Sequence, residues 1–138
     1  MSKTVEQWLT EYSDAHRHPV NRALHTVFVP AILFAIVALL WSSRIAGVRA
    51  SYLLMILVAP FYLHLGARAA IVMAAQLGAC ILALHFWPAG IALRPAALGL
   101  FVLGWIGQFV GHAIEGRRPK FFQDLTFMLI GPLWVVLK

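Results

Sequence analysis

Six histidines occur in a chain that is otherwise strongly apolar. Two segments hold the densest polar chemistry. One is His16-Arg17-His18-Pro19-Val20-Asn21-Arg22-Ala23-Leu24-His25, and the other is Gln108-Phe109-Val110-Gly111-His112-Ala113-Ile114-Glu115-Gly116. An imidazole near lipid is costly to leave unpaired and is a common metal ligand. A helix starting at Pro19 would carry His18, Asn21, Arg22 and His25 along one stripe, and Gln108, His112 and Glu115 would share a face by the same spacing. His16 precedes that first helix and could fold back over its end. Two such helices facing each other would gather His16, His18, His25 and His112 around one cation. Asn21, Gln108 and Glu115 would then accept hydrogen bonds from the rings and fix their tautomers.

Each of these residues also has a plainer use. His64 and His85 read as polar side chains at the headgroup level. His18, just before Pro19, suits a helix cap without any metal. Glu115 could ligate, orient a ligand or pair with Arg117 and Arg118, and orientation fits its spacing best. Arg17, Arg22, Arg117 and Arg118 could hold an anionic group such as a fatty-acid carboxylate, with lipid phosphate the equal alternative. The sequence has no Gly-rich phosphate loop, Ser nucleophile elbow or Cys pair for zinc. Gly104, Gly107 and Gly111 suit close helix packing. Trp41, Trp87, Trp105 and Trp134 suit interfacial anchoring or packing. The lone Cys80 allows no internal disulfide.

The elements that must position these residues are helical and apolar. Hydrophobic residues make up 62% of the 138 and charged residues 12%, against about 45–50% and about 25% in soluble domains. Mean hydropathy is +0.83. Lipid is therefore the expected solvent. Residues 3–15 carry Val5, Trp8, Leu9 and Tyr12 at helical spacing, which predicts a short amphipathic helix on the membrane surface. Apolar runs follow at roughly 23–42, 50–65, 68–87, 96–114 and 123–137. The second and fifth are short of the ~20 residues that a span needs, with Pro60 placed to kink one and Gly131-Pro132 to interrupt the other. The reading is all-α: a multi-pass membrane bundle of four to five hydrophobic helices behind an amphipathic N-terminal helix. Residues 1–138 read as a single membrane-embedded domain without repeat or linker. The polar first twenty residues predict no cleavable signal, so the first run would act as an uncleaved anchor.

The net charge is +6, but the basic residues lie between apolar runs rather than in one patch. Topogenic charge and contact with anionic membrane lipids explain this, and no nucleic-acid partner is expected. With five spans, Lys3, Arg17, Arg22, Arg68, Arg117, Arg118 and Lys120 fall on the N-terminal side, against Arg44, Arg49, Arg94 and Lys138 opposite. That bias predicts a cytoplasmic N-terminus, in a bacterial inner membrane or, in a eukaryote, the endoplasmic reticulum. It also puts every histidine but His85 at the cytoplasmic face.

Tyr12, His16-Arg17-His18-Pro19-Val20-Asn21, His25 and Pro30, followed downstream by Trp105, Gln108-Phe109-Val110-Gly111-His112 and Glu115-Gly116-Arg117-Arg118-Pro119, resemble a known family over nearly the whole chain. These are the fungal-type 2-hydroxy fatty acid dioxygenases, small multi-pass membrane proteins formerly classed as a domain of unknown function. The resemblance implies Fe(II)-dependent alpha-oxidation, in which a 2-hydroxy fatty acid and O2 give a fatty acid one carbon shorter. It implies His16, His25 and His112 as ligands, with Asn21, Gln108 and Glu115 beside them, and leaves His18 at a position expected to vary. Neutral imidazoles suit Fe(II) and leave positions open for O2 and substrate. Arg17, Arg22 and Arg117 are the candidate substrate-binding cations. The acyl tail would lie among the helices. A b-type haem protein with two axial histidines, a non-catalytic scaffold or carrier and, more weakly, a zinc hydrolase are the alternatives. Homo-oligomerisation is left open.

Overall fold

Lys3 to Asp14 opens with a capping box. The Thr4 hydroxyl accepts from the Gln7 N–H at 3.3 Å and the Gln7 side chain accepts from the Thr4 N–H at 2.9 Å, starting helix α1 at Val5–Asp14. The computed structural model describes residues 2–138. After α1 come α2 (Pro19–Trp41), a two-residue hairpin of β1 (Arg44–Ile45) and β2 (Val48–Arg49), α3 (Ala50–His64), α4 (Ala67–His85), α5 (Leu93–Glu115), a 3-10 turn at Lys120–Phe122 and α6 (Thr126–Leu137). Five apolar helices behind one amphipathic helix match the architecture expected from the sequence.

Helix length separates the five. At about 1.5 Å per residue, the 23 residues of α2 and of α5 each reach about 35 Å, enough for a hydrocarbon core of about 30 Å. Together with α4 these are three helices long and apolar enough to cross a membrane. The 15 residues of α3 and 12 of α6 reach only about 22 and about 18 Å. Gly131-Pro132 does not interrupt the last run. α6 continues through both residues, although proline brings no hydrogen-bond donor to the helix.

The described residues form two compact units, one of residues up to Ala31 together with Leu103–Lys138, the other Ile32–Val102. In the first, the apolar stripe of α1 meets α6 rather than facing outward. Trp8 stands edge-on to Phe127 at 5.0 Å, Tyr12 lies 5.0 Å from Trp134, and the Trp134 indole N–H donates to Ser13 Oγ at 2.8 Å. Ile130, Leu133 and Trp134 are fully buried, so the brevity of α6 reflects a helix used as core.

In the second unit α3 packs on α4. The hairpin is tied down by Arg49, whose guanidinium donates to the Trp41 carbonyl at 2.7 Å and stacks over the Trp41 ring. Arg94 donates to the Ser42 hydroxyl and carbonyl at 3.0 and 2.9 Å. Ile56, Leu57, Ile71 and Leu82 are each more than 60% exposed. An apolar face that bare is what a lipid-facing helix surface presents.

Candidate metal centre

The site is built where α1 ends and α2 begins. The Tyr12 carbonyl near the end of α1 accepts the Ala15 N–H at 3.2 Å and also holds the His16 ring, whose Nδ1 lies 2.6 Å away. His18 sits just before Pro19, and its Nδ1 accepts the Val20 N–H at 3.2 Å. Glu115, the last residue of α5, closes the turn. Its carboxylate accepts the Arg17 N–H at 3.0 Å, the His18 N–H at 2.8 Å and the Asn21 amide N–H at 3.1 Å. A negative group at the amino end of α2 also opposes the helix dipole favourably.

This clamp sets the ring of His25, one turn beyond Asn21. His25 Nδ1 lies 2.9 Å from the Asn21 carbonyl. A carbonyl only accepts, so His16 and His25 both carry their proton on Nδ1. Their Nε2 atoms are therefore bare lone pairs, and they face each other at 3.0 Å. His112 of α5 brings a third Nε2 to within 3.1 Å of that of His25. Among the described residues, these three histidines form the group able to hold a metal ion, with one nitrogen from each inside 4.8 Å of the others. They are 1%, 1% and 5% exposed.

Facing lone pairs repel unless a cation lies between them. A proton is a poor candidate, because burial pushes the His16 imidazole down to about 4. A metal ion fits. Two nitrogens about 2.1 Å from one ion at a right angle are about 3.0 Å apart, the separation seen here. The same closeness opposes haem, which needs its two axial imidazoles on opposite sides of a macrocycle. Four buried side-chain polar atoms lack a partner among the described residues, and three belong here: Asn21 Oδ1, Gln108 Nε2 and His112 Nδ1. Such atoms are rare in folded proteins and mark a place for a bound group or a functional strain.

Packing holds the triad as tightly as hydrogen bonding does. Tyr12 stacks flat on His16 at 4.2 Å between centroids, and Trp134 approaches the same ring at 5.4 Å. Burial pushes the Tyr12 hydroxyl well above the usual phenol range, so it stays protonated and neutral beside the imidazole. Gly107 faces Phe28, and Gly111 faces the Asn21 side chain, so closely that an added methyl at either would collide. Two of the three glycines expected to permit close packing therefore do so.

The sequence-derived candidates divide accordingly. His16, His25 and His112 converge. His18 does not join them: its ring is exposed and serves α2 as a cap. Gln108 is buried beside His25. Asn21 acts differently from expectation, since its backbone carbonyl fixes the His25 tautomer while its side chain goes to Glu115. Glu115 holds backbone and amide donors rather than a ring. Arg17 pairs with Asp14 at 2.9 Å, Arg22 donates to the His16 carbonyl at 3.2 Å and lies over Trp134, and Arg117 donates to the Asp14 carbonyl at 3.1 Å. Sequence reading gave Tyr12 no role at the site, although its spacing from His16 is one helical turn, and took Trp134 only as an anchor or packing residue.

The chain is similar to known proteins over most of its length. The family model described as "2-hydroxy-palmitic acid dioxygenase Mpo1-like" matches residues 2–138. The chain is 33% identical over 121 residues to the 2-hydroxy-palmitic acid dioxygenase MPO1 of Saccharomyces cerevisiae, covering 86% of this chain and 69% of that protein. No solved structure matches significantly.

Proposed function

This chain belongs to the Mpo1-like family, and from that premise we propose that it is an Fe(II)-dependent dioxygenase that shortens 2-hydroxy fatty acids by one carbon. The observation that carries the reading is the pair of facing Nε2 atoms of His16 and His25, 3.0 Å apart, joined by His112. These three side chains would hold the iron, which would supply O2 activation and Lewis-acid chemistry at the 2-hydroxy group of the substrate. Zinc would fit three imidazoles as well, but it has no redox chemistry to offer O2.

The chain's own residues do the rest. The Tyr12 and Asn21 carbonyls keep Nδ1 of His16 and His25 protonated and their Nε2 atoms free. Glu115 holds Asn21 and the entry to α2 in place. Gln108, with a buried and unpartnered amide nitrogen, is the donor available to an oxygen of bound substrate. Converting a 2-hydroxy acid to the shorter acid, CO2 and water releases four electrons, which one O2 accepts, so no external reductant is required. The protein would sit in the membrane as a multi-pass chain, with the shorter α3 crossing as well so that the start of α2 and the end of α5 share a face; the loop charges counted on that basis favour a cytoplasmic N-terminus.

The test is anaerobic purification, loading with Fe(II), and addition of 2-hydroxypalmitate with O2. The expected products are pentadecanoate and CO2 in equal amounts, with palmitate left intact. Iron-loaded protein that makes no shortened acid would overturn the proposal.

A further inference from the structure

Gly116 ends α5 in the left-handed region, at φ +75°. Its N–H and that of Arg117 both donate to the His112 carbonyl, at 3.0 and 3.3 Å. A β-carbon would be strained there, so glycine is what lets the chain fold back past the end of the helix. The reversal opens a cleft of about 600 Å³ lined by Phe109, His112, Arg117, Arg118 and Phe122, among others. One wall is therefore a member of the histidine triad, two others are aromatic and outward-facing, and the rim carries two guanidinium groups.

Those two cations are not equivalent. Arg117 is committed to the Asp14 carbonyl. Arg118 is exposed and, among the described residues, makes no hydrogen bond, ion pair or ring contact. No acidic side chain lines the cleft. An unspent planar cation in an open cleft that it lines together with His112, Phe109 and Phe122 is complementary to one chemical class: a carboxylate on an alkyl chain. We propose that Arg118 is the specificity-determining residue that anchors the carboxylate of the fatty-acyl substrate, with Phe109 and Phe122 flanking the chain as it leaves toward lipid. The inference rests on the function proposed above for the substrate's identity, and it replaces Arg17 and Arg22, whose guanidinium groups already have partners within the fold.

The test compares wild type with Arg118→Gln and Arg118→Lys in detergent, at pH 8, measuring equilibrium binding of palmitate and of methyl palmitate, which differ in the charge. Iron content and turnover of 2-hydroxypalmitate are read on the same samples. Wild type is expected to prefer the acid at least tenfold, Arg118→Gln to lose that preference, Arg118→Lys to recover part of it, and iron content to stay constant throughout. An unchanged preference in Arg118→Gln, or none in wild type, would overturn the proposal. So would an acid preference that dioleoylphosphatidylglycerol in the same detergent abolishes in wild type but leaves unchanged in Arg118→Gln, which would make Arg118 a headgroup contact. Absence of turnover in wild type, with the acid preference present and lost in Arg118→Gln, would instead count against the dioxygenase reading and leave the carboxylate anchor standing.

Discussion

His16 and His25 lie nine residues apart in sequence and 3.0 Å apart at Nε2, each having given its Nδ1 proton to the backbone carbonyl four residues before it. Neither ring can satisfy the other, whereas a cation held with the Nε2 of His112, far along the chain, would satisfy both.

The triad and His18 should separate cleanly on substitution. His25→Ala and His112→Ala are each expected to lose bound iron and turnover together. His18→Ala should keep both and cost about 1 kcal/mol of stability, the usual effect of losing a helix cap. Metal analysis and thermal unfolding of the three variants check this. Full iron in either triad variant would remove that residue from the ligand set.

Gly111 should tolerate no side chain. A methyl there would strike Asn21 Oδ1 and come within 3.5 Å of His25 Cε1. Gly111→Ala is expected to cost about 1–3 kcal/mol, as overpacking does, and to weaken iron binding by pushing on Asn21, the residue whose carbonyl holds the His25 ring. Denaturant unfolding with a parallel Fe(II) titration measures both. Wild-type affinity in this variant would show that the contact between α2 and α5 does not position the ring.

Glu115 is expected to matter through what it holds. Glu115→Gln removes the charge shared by three N–H donors and turns an amide toward them. Iron affinity should fall about 10–100-fold, the range seen when residues supporting a ligand are changed, without being abolished. Complete loss of metal in a folded Glu115→Gln protein would instead make the carboxylate a ligand.

The metal-free protein should weaken in mild acid. Unfolded His16 takes its proton near 6.5, whereas the buried ring does so only near 4. The unfolded state thus binds more protons between those values, so stability is full above pH 6.5 and declines as pH falls toward 4. Melting curves of chelated wild type and His16→Gln, taken across that window, should show the steeper decline in wild type. Parallel curves would contradict the assignment.

Much of this was legible in the residues. The apolar runs mark all five helices to within a few residues, because an uninterrupted apolar stretch bounded by Gly, Pro and charge is legible whether it spans lipid or fills a core. The three converging histidines followed from helical spacing and family resemblance. Other details depend on tertiary contacts that no spacing rule carries. His18 lies on the same stripe as His25, yet a cap bond turns its ring outward. The tautomer of His25 is fixed by a backbone carbonyl, a group every residue has, so the identity of Asn21 could not reveal it. The stripe on α1 looked suited to a membrane surface because nothing in it says that α6, over a hundred residues later, will cover it.

The most direct test is Fe(II) titration of chelated, anaerobic wild-type protein, with 2-hydroxypalmitate turnover measured at each addition. One iron per chain is expected, with activity rising in proportion and reaching its plateau at that equivalence. His16→Ala, His25→Ala and His112→Ala should each bind none. Turnover that is full before any iron is added, or a triad variant that still binds one equivalent, would contradict the metal centre.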